Sequence, residues 1–242
     1  MSMKKKKWLY TILLIILIVP ILFFYQAFNG NPVSKIAAKN SLQGYLTRQY
    51  PHKEYRMLNQ FYDFKIGGYT FEVVQIGDEQ QEKYEFQVTG FFKPTITFDG
   101  IYYANLDEPL MEKLSREAVD ELKSVFHDNG IQIVDMYVQL EISQGKYTGN
   151  TIWSKGLQLE KPMYIHLTID VTNMNKKDVL AAVKSIQQTL DSENYQYSRV
   201  SFNGNIIDKS TIGKNYNGYV KYHIGFDKGA NIELSDIETE KQ

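Results

Sequence analysis

The 242-residue sequence has no cysteine. That absence excludes disulfides, thiol catalysis and any cysteine-ligated zinc. Histidine is scarce, with only His52, His127, His166 and His223, and no two have the spacing of a metal pair on one helix. There is no H-E-x-x-H, G-x-S-x-G elbow, dinucleotide fingerprint or EF-hand loop. Asp208-Lys-Ser-Thr-Ile-Gly213-Lys214-Asn215 has part of a phosphate-loop spacing, but it lacks a glycine at 208 and a hydroxyl at 215. A β-hairpin loop is expected there. With 28 acidic residues, choosing a pair for glycoside cleavage would be arbitrary. The expectation is no catalytic, cofactor-binding or metal residue, no cofactor, and binding residues left unassigned.

Charge is missing from one long stretch. Lys4 to Lys7 form a basic stub at 1–7, and the 21 residues from Trp8 to Phe28 carry no charge at all. A helix of that length spans about 30 Å, the thickness of a bilayer's hydrocarbon core. Trp8, Tyr10 and Tyr25 lie near its ends, where amphipathic rings favour the interface. Pro20 removes one backbone donor, which lipid-embedded helices tolerate. A cleaved secretory signal shares the basic start, but its apolar core is shorter, about 7–15 residues, and ends at small residues. The exit here, Tyr25-Gln26-Ala27-Phe28-Asn29-Gly30, has no such site. A buried soluble helix is the third alternative. The favoured expectation is an uncleaved single-pass transmembrane anchor over 8–28, with the lysines cytoplasmic and the rest extracytoplasmic.

The chain beyond the anchor holds 23 Lys and Arg against 28 Asp and Glu, a formal charge of −5 that the whole-chain value of −1 conceals. Such a charge is poorly suited to gripping polyanions, so nucleic acid is not an expected partner. Eighteen Tyr and thirteen Phe predict a β-rich chain.

After a hinge at 29–31, Asn31-Pro32 reads as an N-cap and first turn, opening a helix to about Gln49. Ala38, Leu42, Tyr45 and Leu46 share one face. Val33, Ile36 and Ala37 form another, suited to a second surface such as the membrane or the other domain. Strands are expected over Asn59 to Ile66 and Tyr69 to Ile76, joined at Gly67-Gly68, then at Tyr84 to Val88 and within Pro94 to Tyr103. This helix and antiparallel meander make one α+β domain, 32–105.

A second domain, 106–228, opens with a helix capped by Asp107 and stopped at Gly130, with Met111, Leu114, Ala118, Leu122 and Val125 as its stripe. A strand over Ile131 to Ile142 shifts phase near Val134, as a bulge would. Ser143 to Gly156 reads as a long loop containing Trp153. Met163 to Val171 alternates cleanly. Asn175 and Asp178 form a capping box before a helix carrying Val179, Val183, Ile186 and Leu190. Strands Tyr197 to Phe202 and Tyr216 to Phe226 complete the domain. The order α-β-β-α-β-β predicts two helices on one face of a four-stranded sheet, and residues 229–242 read as a frayed acidic tail. The fold class is α+β: a transmembrane helix followed by two small α+β domains.

Two clusters have a potential for chemistry or binding. His166 and His223, with Asp170, could form a metal or acid–base site only if they met across adjacent strands; ordinary polar positions are favoured. Tyr195, Tyr197, Tyr216, Tyr219 and Tyr222 could form a glycan- or peptide-binding platform. Cross-strand pairing over a sheet face is favoured over that.

Phe28-Asn-Gly-Asn-Pro32, Lys35-x-x-Ala38-Lys39, Tyr45-Leu46, Tyr50-Pro51 and Phe61-Tyr-Asp-Phe64-Lys65 resemble the YfjL-like proteins of Bacillus and relatives. The resemblance is firmest over about residues 28–75. It implies a small membrane-anchored bacterial protein with separate N- and C-terminal domains. The matching residues are capping, turn and core positions, so the resemblance brings no catalytic residue.

The sequence therefore predicts a non-enzymatic, membrane-anchored extracytoplasmic binding or interaction protein of the cell envelope. Its expected partners are the lipid bilayer, through the anchor, and an envelope protein or cell-wall component. The rival expectations are an envelope hydrolase or transferase with a dispersed active site, and an accessory or sensor subunit of a membrane complex.

Overall fold

The computed structural model describes residues 3–207 and 218–240. The chain divides into two compact units, Met1–Asn105 and Leu106–Gln242. The hairpin loop expected over 208–215 lies outside the described residues, as does Tyr216.

The first unit begins with α1, Met3–Asn29, which contains Pro20. This helix is long and apolar enough to cross a membrane by length and composition. Its large apolar side chains, Leu13 to Leu17 among them, are exposed rather than packed into a core. Gly30, at φ +68°, breaks the helix. Helix α2, Pro32–Gln49, then starts as the sequence predicts: the Asn31 side chain accepts from the Ser34 N–H at 2.9 Å. Ala38, Leu42 and Leu46 are buried at i, i+4 spacing, the pattern of a helix lying on a sheet.

That sheet consists of β1 Tyr55–Asp63, β2 Gly68–Gln75, β3 Lys83–Thr89 and β4 Thr95–Asp99, in sequential order and antiparallel throughout. Phe71, Val73, Phe86 and Val88 pack with Leu42 and Leu46 to form its core. Burying each such side chain contributes about 1.5–3 kcal/mol. Three expectations are corrected here. Strand β1 starts at Tyr55, not Asn59, and its register slips between Met57 and Gln60. The glycines divide the turn's work: Gly67 takes positive φ, while Gly68 lies inside β2, where a Cβ would come within 2.4 Å of the Val88 carbonyl. The strand expected to reach Tyr103 stops at Asp99, whose side chain accepts from the Tyr102 N–H and starts a short helix, α3 Gly100–Ala104.

In the second unit, α4 spans Glu108–Asp128, and its Asp107 cap accepts from the Leu110 N–H. Its buried stripe is Leu110, Leu114, Ala118, Leu122 and Phe126, so Met111 and Val125 are displaced from the stripe read in the sequence. The sheet runs β5 Asp135–Gln139, β6 Met163–Asp170, β7 Tyr197–Ile206, β8 Tyr219–Asp227 and β9 Glu238–Thr239, in sequential order. Strands β6 and β7 are parallel, with α5 Lys176–Ser192 as their crossover; the other neighbours are antiparallel. The capping box of Asn175 and Asp178 forms at the start of α5. Met136, Leu167, Phe202 and Ile224 pair in one row across the sheet and share a core with the buried stripes of α4 and α5. Both helices therefore cover one face of the sheet.

Through residue 240 the expected frayed tail is instead folded. Ile232 and Ile237 are buried in the core, a 3-10 turn spans Leu234–Asp236, and β9 adds a fifth strand beside β8. Acidic composition hid two isoleucines that the core takes in. The strand expected over 131–142 is regular only in β5, and the phase shift near Val134 falls just before it. Trp153 folds back into the core at 8% exposure. The loop is held by Lys113, which donates to the Gly149 and Thr151 carbonyls, and by Glu117, which accepts from the Trp153 N–H.

Candidate functional site

Strand β5 forms one edge of its sheet, and a groove of about 570 Å³ separates it from α4. The groove exists because Met111, Ser115 and Val119 recur every four residues, one position off the buried stripe of α4. These side chains are therefore half-buried, packed against the margin of the core beside the strand. Met111, Val119, Met136 and Val138 give the groove apolar walls. Glu108, Glu112 and Asp120 line it together with a single guanidinium, Arg116, which lies 3.8 Å from Glu112. The balance is acidic.

The Ser115 hydroxyl donates to the Val138 carbonyl. That carbonyl therefore points away from β6, and strand alternation turns the backbone groups of Met136 the same way. Farther along the same edge, the Asp107 N–H occupies the Ile142 carbonyl at 2.9 Å, and Leu106 bridges Ser143. The edge is thus occupied near Ile142 and open beside Met136. Nothing in the sequence marked these residues as a site, because their role depends on β5 being an edge. The only local signal was the Met111, Ser115, Val119 spacing.

A second cavity, about 520 Å³, lies under the loop that carries Trp153. The Trp153 indole N–H is buried there without a partner among the described residues. Its lysines are each paired at 2.9 Å: Lys146 with Glu160, Lys155 with Glu193, and Lys161 with Glu141. The hydrogen bond from Lys146 holds the Glu160 carboxyl below its ordinary value, against a smaller opposing effect of burial. These pairs tie the loop down and leave no lysine of the three available for an anionic ligand.

In the first unit, buried Asp99 accepts from the hydroxyls of Tyr45 and Tyr50, both at 2.8 Å. Burial, and then the carboxylate, push both phenols well above the ordinary tyrosine value. They stay neutral donors at physiological pH, which suits a structural clasp and not a proton-transfer pair. Tyr195 and Tyr197 repeat the arrangement in the second unit, donating to Glu121 and Asp191.

The tyrosine cluster read in the sequence is dispersed. Tyr195, Tyr197 and Tyr222 are buried, while Tyr219 is exposed. His166 and His223 are not on neighbouring strands, because β7 runs between β6 and β8. His166 pairs with Ser201 on β7, and His223 pairs with Asn203. His223 instead approaches Glu238 at 3.3 Å and Glu240 at 3.9 Å. His127 lies 3.6 Å from Asp128, and His52 is exposed just after α2. Among the described residues, no three His, Asp or Glu side chains group as metal ligands.

A family model described as "YfjL-like, N-terminal domain" matches residues 5–100, and one described as "YfjL-like C-terminal domain" matches residues 117–238. The chain belongs to the YfjL-like family. It is 30% identical over 233 residues to "Uncharacterized protein YfjL" of Bacillus subtilis (strain 168), an alignment covering 96% of this chain and 98% of that protein. A solved DUF5037 family protein from Ruminococcus gnavus ATCC 29149 aligns with 81% of this chain and 94% of its own, at 10% identity and a TM-score of 0.23. The YfjL-like C-terminal match begins inside α4, so it includes Val119, Asp120 and all of β5 but not Met111 or Ser115.

Proposed function

We propose that this YfjL-like protein is a membrane-anchored binding protein of the bacterial cell envelope. In this reading α1 is the anchor, Lys4 to Lys7 remain cytoplasmic, and both folded units lie outside. The α4–β5 groove takes an extended segment of another envelope protein. The single observation that carries this is the open backbone edge of β5 beside an apolar, acid-lined groove. An incoming strand can pair with such an edge, place apolar side chains between α4 and the sheet, and present basic residues to Glu108, Glu112 and Asp120.

Site-specific photocrosslinking in intact cells tests it. A benzophenone side chain at Gln139, exposed on β5, is expected to capture a discrete protein. Glu112→Lys with Asp120→Lys, two changes on a solvated helix face, should abolish that capture without altering the circular dichroism spectrum. Capture unaffected by both changes would contradict the groove as the binding site.

A further inference from the structure

One end of the first unit's sheet carries aromatic side chains that its core does not use. The β1–β2 turn begins with Phe64, which is 55% exposed, and the β3–β4 turn carries Phe91 at 53% and Phe92 at 96%. The register Asp63↔Gly68↔Thr89↔Thr95 places both turns at the same end of the sheet. That end faces α1. The Tyr69 hydroxyl bonds to the backbone of Asn31 and to Ser34, at the start of α2. One residue further along the paired strands from Tyr62 and Tyr69 lie Asp63 and Gly68, and the next residue, Phe64, packs its ring on Phe28 in the last turn of α1. Val33 and Ile36, exposed on the first turns of α2, belong to the same region.

The polar complement is basic. Lys65 and Lys93 sit in the two turns, and Lys35 lies on the first turn of α2. None of the three makes an ion pair among the described residues. Asp63 is the lone carboxylate in segments 63–67 and 90–94. Exposed aromatic rings interleaved with lysines suit the headgroup region of an anionic bilayer: the rings enter the boundary with the acyl chains, and the lysine stems reach back to the phosphates.

We infer that this end of the first unit rests on the outer leaflet of the bilayer that holds α1, with Phe64, Phe91 and Phe92 inserted into the interface. The inference depends on α1 being a membrane span, since only then does Phe28 fix these turns at the surface. It makes the first unit a platform seated on the lipid rather than a body swinging on a free linker.

Because the chain has no native cysteine, single-cysteine variants of the full-length protein can carry spin labels without a background. Four sites suffice, in vesicles of phosphatidylethanolamine and phosphatidylglycerol. Phe92→Cys and Phe64→Cys report the surface, Leu17→Cys reports the anchor, and Glu79→Cys, in the turn at the opposite end of the sheet, reports water. Collision with oxygen relative to a water-soluble nickel chelate reads depth. The expected result is a severalfold higher oxygen-to-nickel ratio at 92 and 64 than at 79, lower than at 17. Ratios at 92 and 64 equal to that at 79, with 17 still lipid-like, would overturn the docking and leave the anchor standing. So would labels at 92 and 64 shielded from both reagents, which marks a covering protein. A water-like ratio at 17 would overturn the anchor, and this inference with it.

Discussion

The ring of Phe28, in the last turn of α1, lies 5.3 Å from the ring of Phe64, at a tilt of 58°. That contact, with the bonds of the Tyr69 hydroxyl to Asn31 and Ser34, makes the passage from the apolar helix to the folded unit a packed joint.

Gly30 is the pivot of that joint. A Cβ there would lie 2.3 Å from the Tyr69 hydroxyl and 2.8 Å from the Tyr62 ring, on a backbone at φ +68°. Gly30→Ala should therefore destabilise the first unit by about 1–3 kcal/mol, the usual range for a non-glycine residue held in this region. Urea unfolding of the detergent-solubilised chain measures it, and a change below about 0.5 kcal/mol, the range of ordinary surface substitutions, would show that the joint is loose.

The C-terminal segment should behave as core. Ile237 is 1% exposed, so Ile237→Ala should cost about 2–5 kcal/mol. Removing residues 229–242 should cost more, because β9 leaves with it. Thermal unfolding measures both, and an unchanged midpoint after truncation would contradict the packing described.

Tyr45, Tyr50, Tyr195 and Tyr197 should resist ionisation. Burial first, and then a neighbouring carboxylate, raise each phenol above the ordinary value. Tyr84, half-buried and donating to Glu82, is pushed up to about 12. A raised native pKa means that the folded state holds its proton more tightly than the unfolded chain. The resulting stability is complete below about pH 10, the unfolded tyrosine value, and is lost as pH climbs toward the native values. Absorbance near 295 nm should show these groups ionising only with alkaline unfolding. Uniform titration of all 18 tyrosines near pH 10 would contradict it.

Features set by a few adjacent residues were legible in the sequence. Asn31 before Pro32, Asp107 before Pro109, and Asn175 with Asp178 each name a helix start, because a cap is built from side chain and backbone within four residues. The alternation of Met163 to Val171 likewise identified a strand, β6. What remained hidden depends on distant partners. Ile232 and Ile237, two apolar residues in an acidic segment, are too sparse to read as core until the sheet and its helices are assembled around them. His166 and His223 are separated by β7, an order no local pattern specifies. The α4–β5 groove becomes a candidate site only because β5 has one neighbour.

The central claim is that α1 anchors the chain with both folded units outside the cell. It is tested most directly by labelling intact cells with a membrane-impermeant maleimide, since only introduced cysteines can react. Ile152, which is 75% exposed, is a suitable external position, and Ser2 serves as the internal one. The account predicts that Ile152→Cys is labelled on intact cells while Ser2→Cys is labelled only after lysis. The reverse pattern, or labelling of both only after lysis, would contradict it.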